Sequence, residues 1–137
     1  MEEQQSTNLN TQHKIDVVNQ MFDAWRNLDW DKILDLFTED GVFHSMMLEP
    51  IKGREALNIW LKEQVIAAGF KSFDFKVRNI ASTGNLLLIE RVDSFVINGK
   101  EGFIPVNGVF EIEGNRVKEW RDYYDHAQLL KSMGIGS

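Results

Sequence analysis

One predicted strand carries an arginine and a carboxylate among apolar residues. In the stretch LLLIERVDSFVI, Arg91 and Asp93 are two residues apart, so both side chains lie on one face of a strand. The apolar residues of the same parity are Leu87, Ile89, Phe95 and Ile97. Charged side chains are seldom buried unless they are paired. A carboxylate held in an apolar pocket is suited to general acid or base catalysis.

A second carboxylate, Asp122 in the stretch WRDYYD, is a candidate for the same face. A two-residue turn at Gly114 and Asn115 would turn Asp122 away from this face. A three-residue loop over 113–115 would pair Val106 with Asp122 and Gly108 with Trp120, facing inward. We favour the inward register because an exposed face seldom reads Trp-x-Asp-x-Tyr.

The predicted arrangement is two carboxylates around one guanidinium. As a purely structural ion triad it would add little stability compared with apolar replacements, which favours a functional interpretation. Burial raises the pKa of a carboxyl group and a neighbouring arginine lowers it. Two aspartates in slightly different surroundings can therefore take opposite roles, one as acid and one as base.

Composition limits the classes of function. The 137 residues are 43% apolar and 26% charged, the net charge is −6 and the pI is about 5.0, which argues against nucleic acid or anionic membranes as partners. Cysteine is absent, and His13, His44 and His126 lack metal-ligand spacing, so we predict no metal site. The polar N-terminus predicts a disordered tail over 1–12, a single domain over 13–137 and a cytoplasmic protein.

The elements predicted to position these residues are helices followed by an antiparallel sheet. Apolar residues recur every three or four positions from Lys14 to Trp25, from Trp30 to Phe37 and from Ala56 to Val65. A short strand follows Gly41, and alternating strands begin after Gly69. A last short helix is predicted over 127–133. This order is typical of an α+β domain with helices on one face of the sheet.

The dipeptide Asn98-Gly99 sets the register of the predicted site. It is a strong signal for a two-residue hairpin, which pairs Asp93 with Ile104 and Arg91 with Val106. The inward face then also contains Phe95, Gly108 and Phe110. Because Gly108 has no side chain, it leaves room there for a helix side chain or a ligand.

The stretches RVDSF, GVF at 108–110 and WRDYYD resemble the limonene-1,2-epoxide hydrolases, from about Lys14 to Leu130. The resemblance implies the cone-shaped fold of nuclear transport factor 2, also called SnoaL-like, with N-terminal helices packed on a curved, mostly antiparallel sheet. It also implies a homodimer formed through the sheet, no cofactor or metal, and a small lipophilic epoxide as substrate.

The resemblance also implies roles for individual residues. Asp93 would protonate the epoxide oxygen, Asp122 would activate water, and Arg91 would bridge both. The product would be a vicinal diol, formed in one step. The implied pocket positions are Phe95, Ile104, Val106 and Tyr124, to which the inward register adds Trp120.

The sequence departs from the family where the attacking water is held. The family uses a tyrosine and an asparagine two residues apart on the first strand. These positions are Phe43 and Ser45 here. Phe43 has no hydrogen bond to offer, and Ser45 has a shorter side chain. Each lost hydrogen bond costs roughly 1–3 kcal/mol, about ten- to a hundredfold in rate.

Several alternatives stay open at this stage. The protein could open an epoxide with the substrate's own hydroxyl, as a cyclase or isomerase that keeps the acid–base pair. A ketosteroid isomerase shares the fold, but its tyrosine-based oxyanion site is not evident. A carrier for lipophilic molecules would use the same apolar cone without needing two buried aspartates. A protein-binding module would need an exposed apolar face; Leu86, Leu88, Val92 and Val96 supply one, which the dimer would cover.

Overall fold

A computed structural model describes residues 10–134 of the chain. In chain order the elements are α1 (Thr11–Arg26), α2 (Trp30–Leu36), β1 (Phe37–Ser45), β2 (Ile51–Lys52), α3 (Arg54–Trp60), β3 (Phe70–Thr83), β4 (Leu86–Ile97), β5 (Lys100–Glu113), β6 (Arg116–Tyr123) and α4 (His126–Ser132). A π-helix over Leu61–Ile66 continues α3. None of the helices in the described part of the chain is long and apolar enough to span a membrane.

The first helix begins earlier than predicted. The Asn10 side chain accepts a hydrogen bond from the His13 amide and caps α1, a favourable arrangement at a helix start. Thr11 and Gln12, the last two residues of the predicted tail, are therefore helical. The rest of that tail, residues 1–9, lies outside the described residues.

Two further boundaries differ from the prediction. Strand β1 begins at Phe37, four residues before Gly41, because α2 ends at Leu36 and the chain turns directly into extended backbone. The third predicted helix widens into the π-helix at Leu61. A π-helix carries an extra residue per turn, which apolar spacing alone does not reveal.

The sheet confirms the predicted α+β fold. Its strand order is β2-β1-β6-β5-β4-β3, so the edges are β2 and β3 and the sheet is not closed. All neighbours are antiparallel except β1 and β6, which are parallel. Helix α1 covers one face, where Phe22 stacks on Phe75 with ring centroids 4.3 Å apart.

The β4–β5 hairpin forms as predicted. Asn98 and Gly99 have φ angles of 52° and 76°, which suit a two-residue hairpin turn. Ile97 pairs with Lys100, and this register places Asp93 opposite Ile104 and Arg91 opposite Val106.

The predicted register of β5 and β6 is wrong, although the predicted facing of Asp122 is right. The turn at 114–115 has two residues, since Glu113 pairs with Arg116. The register then shifts at a bulge that leaves Lys118 without a partner, and Asp122 pairs with Gly108 rather than Val106. Because a bulge adds one residue to one strand, it restores the inward parity that a two-residue turn would have lost.

Candidate active site

Arg91 bridges two carboxylates from different strands. Its Nε and Nη2 donate to Asp93 Oδ1 and Oδ2 at 2.7 and 3.0 Å. Its Nη2 also donates to Asp122 Oδ2 at 2.7 Å. The Arg91 side chain is fully buried, whereas the side chains of Asp93 and Asp122 are 18% and 10% exposed. The structure therefore brings together the three residues singled out from the sequence.

Gly108 makes room for this arrangement. A Cβ atom on Gly108 would overlap Arg91 Nη1 and lie 2.8 Å from Asp122 Oδ1, closer than real Cβ contacts come. The space was predicted for a helix side chain or a ligand. It is instead taken by side chains of the neighbouring strands, because Gly108 lies opposite Asp122 and two pairs along the β4–β5 register from Arg91.

Aromatic rings surround the guanidinium. The rings of Phe22, Phe75, Phe110 and Trp120 have centroids 5.6 to 5.9 Å from Arg91 Cζ, within cation–π range. Burial lowers the pKa of Arg91, but Asp122 and Asp93 outweigh it and raise the pKa above its ordinary value. The arginine is thus a fixed positive charge between the two carboxylates.

The two aspartates have different surroundings. Burial raises the pKa of Asp93 to about 6, although Arg91 opposes this rise. Asp93 can therefore hold a proton near neutral pH, as a general acid must. Asp122 Oδ1 accepts a hydrogen bond from Trp120 Nε1 at 2.6 Å. That role of Trp120 was not foreseen, although its i, i+2 spacing from Asp122 is the same signal that paired Arg91 with Asp93.

Both aspartates open into an apolar cavity of about 250 Å³. All five predicted pocket residues line it: Phe95, Ile104, Val106, Trp120 and Tyr124. The prediction missed lining residues from the helices and the edge strand, which are Trp25, Trp60, Gln64, Val65, Phe70, Phe73, Phe75, Leu129 and Met133. Apart from Gln64 these residues are apolar, and their spacing was visible in sequence, but it does not distinguish a cavity wall from the core.

The two positions that depart from the family also line the cavity. Phe43 stacks on Trp60 at 4.8 Å and meets the edge of Trp120 at 5.2 Å, so it extends the aromatic wall. Ser45 is the partner of Asp122 in the parallel pairing of β1 and β6. A hydroxyl group therefore remains beside the second carboxylate.

Tyr124 is half-buried at the same end of the cavity. Burial raises the pKa of its phenol, and the Asp122 charge adds to this, while a hydrogen bond with Ser45 acts in the opposite direction. The phenol is therefore protonated at neutral pH and can donate a hydrogen bond.

Comparison with known families decides the classification. The profile of the limonene-1,2-epoxide hydrolase catalytic domain matches residues 12–134. The chain belongs to the limonene-1,2-epoxide hydrolase family. It is accordingly an enzyme of the epoxide hydrolase class, and the resemblance inferred from its motifs is confirmed.

Individual relatives agree with the family. The chain is 28% identical over 116 residues to epoxide hydrolase EphG of Mycobacterium tuberculosis, which covers 85% of this chain and 76% of that protein. A solved structure of an M. tuberculosis epoxide hydrolase of this family superposes with a TM-score of 0.77 and 27% identity, covering 90% of both chains. A hypothetical protein from Catenulispora acidiphila, described as having a ketosteroid isomerase-like fold, superposes with a TM-score of 0.74 and 20% identity, covering 88% of this chain and 93% of that protein.

Proposed function

We propose that the protein adds water to a small lipophilic epoxide in one step, using Asp93 as acid, Asp122 as base and Arg91 as the bridge. The observation that carries this proposal is the bridged pair itself. Two carboxylates share one buried arginine and both line an apolar cavity. A carrier for apolar molecules gains nothing from burying these charges.

In the proposed step the Asp122 carboxylate takes a proton from water while the water oxygen attacks an epoxide carbon. The carbon–oxygen bond of the ring breaks, and the ring oxygen takes the proton from Asp93. The product is a vicinal diol. Before the next turnover a proton returns from Asp122 to Asp93, either through solvent or along the hydrogen bonds that both carboxylates make with Arg91. Arg91 stays protonated and holds both carboxylates in place.

The cavity supports a small, apolar substrate. Its volume of about 250 Å³ lies just below the usual range of ligand pockets, roughly 300–1,000 Å³. Its walls are mostly apolar and rich in aromatic rings, and the two aspartates, Ser45 and Tyr124 are among its few polar side chains. We infer a compact alicyclic, terpene-like or aryl epoxide whose hydrocarbon part fills the apolar end.

The test is product analysis on a panel of terpene, styrene and alicyclic epoxides in ¹⁸O-labelled water. Wild type should give diol carrying one labelled oxygen, and Asp93→Asn and Asp122→Asn should each lose about 10²–10⁴-fold in rate. Asp74→Asn is the matched control, since Asp74 is an exposed aspartate paired with Arg26. Unchanged diol formation by both site variants would overturn the proposal.

A second candidate is intramolecular ring opening by a hydroxyl group of the substrate. It is favoured by one observation: Phe43 has no hydrogen bond to offer a water and stacks on Trp60, at the position where the resemblance implies a water-holding tyrosine. This reaction keeps the acid–base pair and needs no bound water. Hydroxy-epoxides tested in the same labelled water would then give a cyclic ether without ¹⁸O.

We also propose that the protein is a homodimer formed through the outer face of its sheet. Leu88 is exposed there, and its partners across the sheet are Ala81 and Val109. Val92 and Val96 continue the same face of β4. Exposed apolar side chains on a sheet face that no element of the described chain covers are typical of an interface.

A further inference from the structure

Two hydroxyl groups stand beside Asp122 on the cavity wall. Ser45 is its direct partner in the parallel pairing of β1 and β6, and the Met46 amide donates to the Asp122 carbonyl at 3.0 Å, which fixes this register. Tyr124 follows Asp122 by two residues and lines the same cavity. The Ser45 and Tyr124 side chains therefore both belong to the wall of the cavity into which Asp122 opens.

Asp122 has accepting capacity left for a water molecule. Its Oδ2 accepts from Arg91 and its Oδ1 from Trp120. An ionised carboxylate has about four lone-pair positions, so two remain. The hydrogens of its two present donors are already in use, since Arg91 Nη2 donates to Asp93 and Asp122 and Trp120 Nε1 donates to Asp122, so the groups that hold a water must come from elsewhere on the cavity wall.

We propose that Ser45 and Tyr124 together hold the water that Asp122 activates, in place of the tyrosine and asparagine used elsewhere in the family. The inference rests on the proposed hydrolysis. The water would donate one hydrogen to Asp122 and the other to Ser45 Oγ. The Tyr124 phenol would donate to one lone pair of the water, which leaves the other lone pair free to attack the epoxide carbon.

The placement of the phenol compensates for the change at Phe43. Position 43 contributes only an aromatic ring, which stacks on Trp60 and packs edge-to-face against Trp120. Tyr124 comes from the opposite side of Asp122, just beyond the end of β6. In the proposed water site, the tyrosine hydroxyl beside Asp122 comes from the chain after β6, and not from β1, where the family tyrosine would stand.

The decisive variants are Tyr124→Phe, which removes only the hydroxyl, and Ser45→Ala. Each should lower kcat about ten- to a hundredfold with little change in KM, because the lost contact is to water and not to the substrate. Tyr123→Phe is the matched control, since Tyr123 is 44% exposed and has the opposite parity on β6. Melting temperatures of all variants check that the fold is intact.

A rescue experiment separates water binding from a structural role. In the Tyr124→Phe background, Phe43→Tyr returns a phenol to the β1 side of Asp122. Recovery of kcat by this double variant would support the inference, because the two positions lie on different segments of the chain and both line the cavity into which Asp122 opens.

The outcomes distinguish this inference from the proposed function. If Tyr124→Phe keeps its full kcat, or changes only KM, while Asp122→Asn is inactive, the hydrolysis stands and the water site is wrong. If Asp122→Asn also keeps its activity, both proposals are overturned.

Discussion

At the scale of single residues, the pocket depends on how its charges are balanced. Arg91 is fully buried and would be very costly there alone. Asp93 and Asp122 neutralise it, and four aromatic rings contact it. Asp93 and Asp122 thus offset the cost of burying Arg91 and also place two carboxylates at the cavity wall, so the same residues serve both the stability of the fold and the proposed chemistry.

Asp93 should set the pH dependence of the reaction. Its raised pKa of about 6 means that the protonated acid is lost as pH rises through this value. We therefore expect kcat/KM to fall above about pH 6, by about tenfold per pH unit. The measurement is a pH–rate profile between about pH 4.5 and 9. Asp74→Asn should keep the wild-type profile, and a wild-type profile that stays flat across this range would contradict the acid role of Asp93.

Gly108 should tolerate no side chain. In Gly108→Ala the new Cβ would displace Arg91 Nη1 and Asp122 Oδ1, so we expect a loss of about 1–3 kcal/mol in unfolding free energy. Diol formation should also drop, by about a hundredfold or more. Urea unfolding and initial rates measure the two effects. The control is Asn107→Ala, at the exposed neighbouring position of β5, which should change neither the unfolding free energy nor the rate. A Gly108→Ala variant that keeps both would show that the site can accommodate a side chain at position 108.

At the scale of elements, the bulge in β6 determines which way Asp122 faces. The two-residue turn at 114–115 alone would place Asp122 on the outer face. The unpaired Lys118 changes the parity of every later residue in β6, since successive side chains of a strand alternate between faces. The Trp120–Asp122 pair points inward for this reason.

Deletions in β6 test this role. Removing Lys118 should leave Trp120 opposite Phe110 and Asp122 opposite Gly108, and activity should stay within about tenfold of wild type. Removing Arg121, which lies between the two inward residues, should turn either Trp120 or Asp122 outward and abolish activity. Rates and circular dichroism of both variants check this. Equal loss of activity in two folded deletion variants would mean that the bulge does not set the facing of Asp122.

At the scale of the whole molecule, helices close one face of the sheet and leave the other open. Lys14 of α1 is buried and donates from Nζ to the carbonyls of Gly84 and Leu86 at 2.7 and 3.1 Å, which ties the helix to the β3–β4 turn. The outer face has no such cover within the described chain and carries exposed apolar residues such as Leu88 and Phe103.

The outer face should therefore be the dimer interface. Leu88→Asp would place a charge in the middle of an apolar contact, and we expect it to shift the protein to monomers. Light scattering coupled to size-exclusion chromatography gives the mass directly. Glu90→Asp, at the next position of the same parity, conserves the charge and should remain dimeric. A monomeric wild type would overturn the dimer proposal.

The sequence by itself determined the features that depend on neighbours in the chain. The spacing of Arg91 and Asp93 fixed their common face, and Asn98-Gly99 fixed the register of β4 with β5. Helix faces followed from apolar spacing. The motifs RVDSF and WRDYYD also indicated the family whose profile matches residues 12–134.

Only the tertiary structure decided what depends on contacts between distant segments. A bulge at Lys118 brought Asp122 opposite Gly108; the buried Val117 and Trp120 are three residues apart, which breaks the alternation of the strand but does not say where the extra residue lies. The parallel pairing of β1 with β6 brought Ser45 beside Asp122, across more than seventy residues of chain. Side chains such as Trp25 and Phe73 became cavity walls because packing left space beside them, and local sequence encodes which residues are apolar but not where the packing stops.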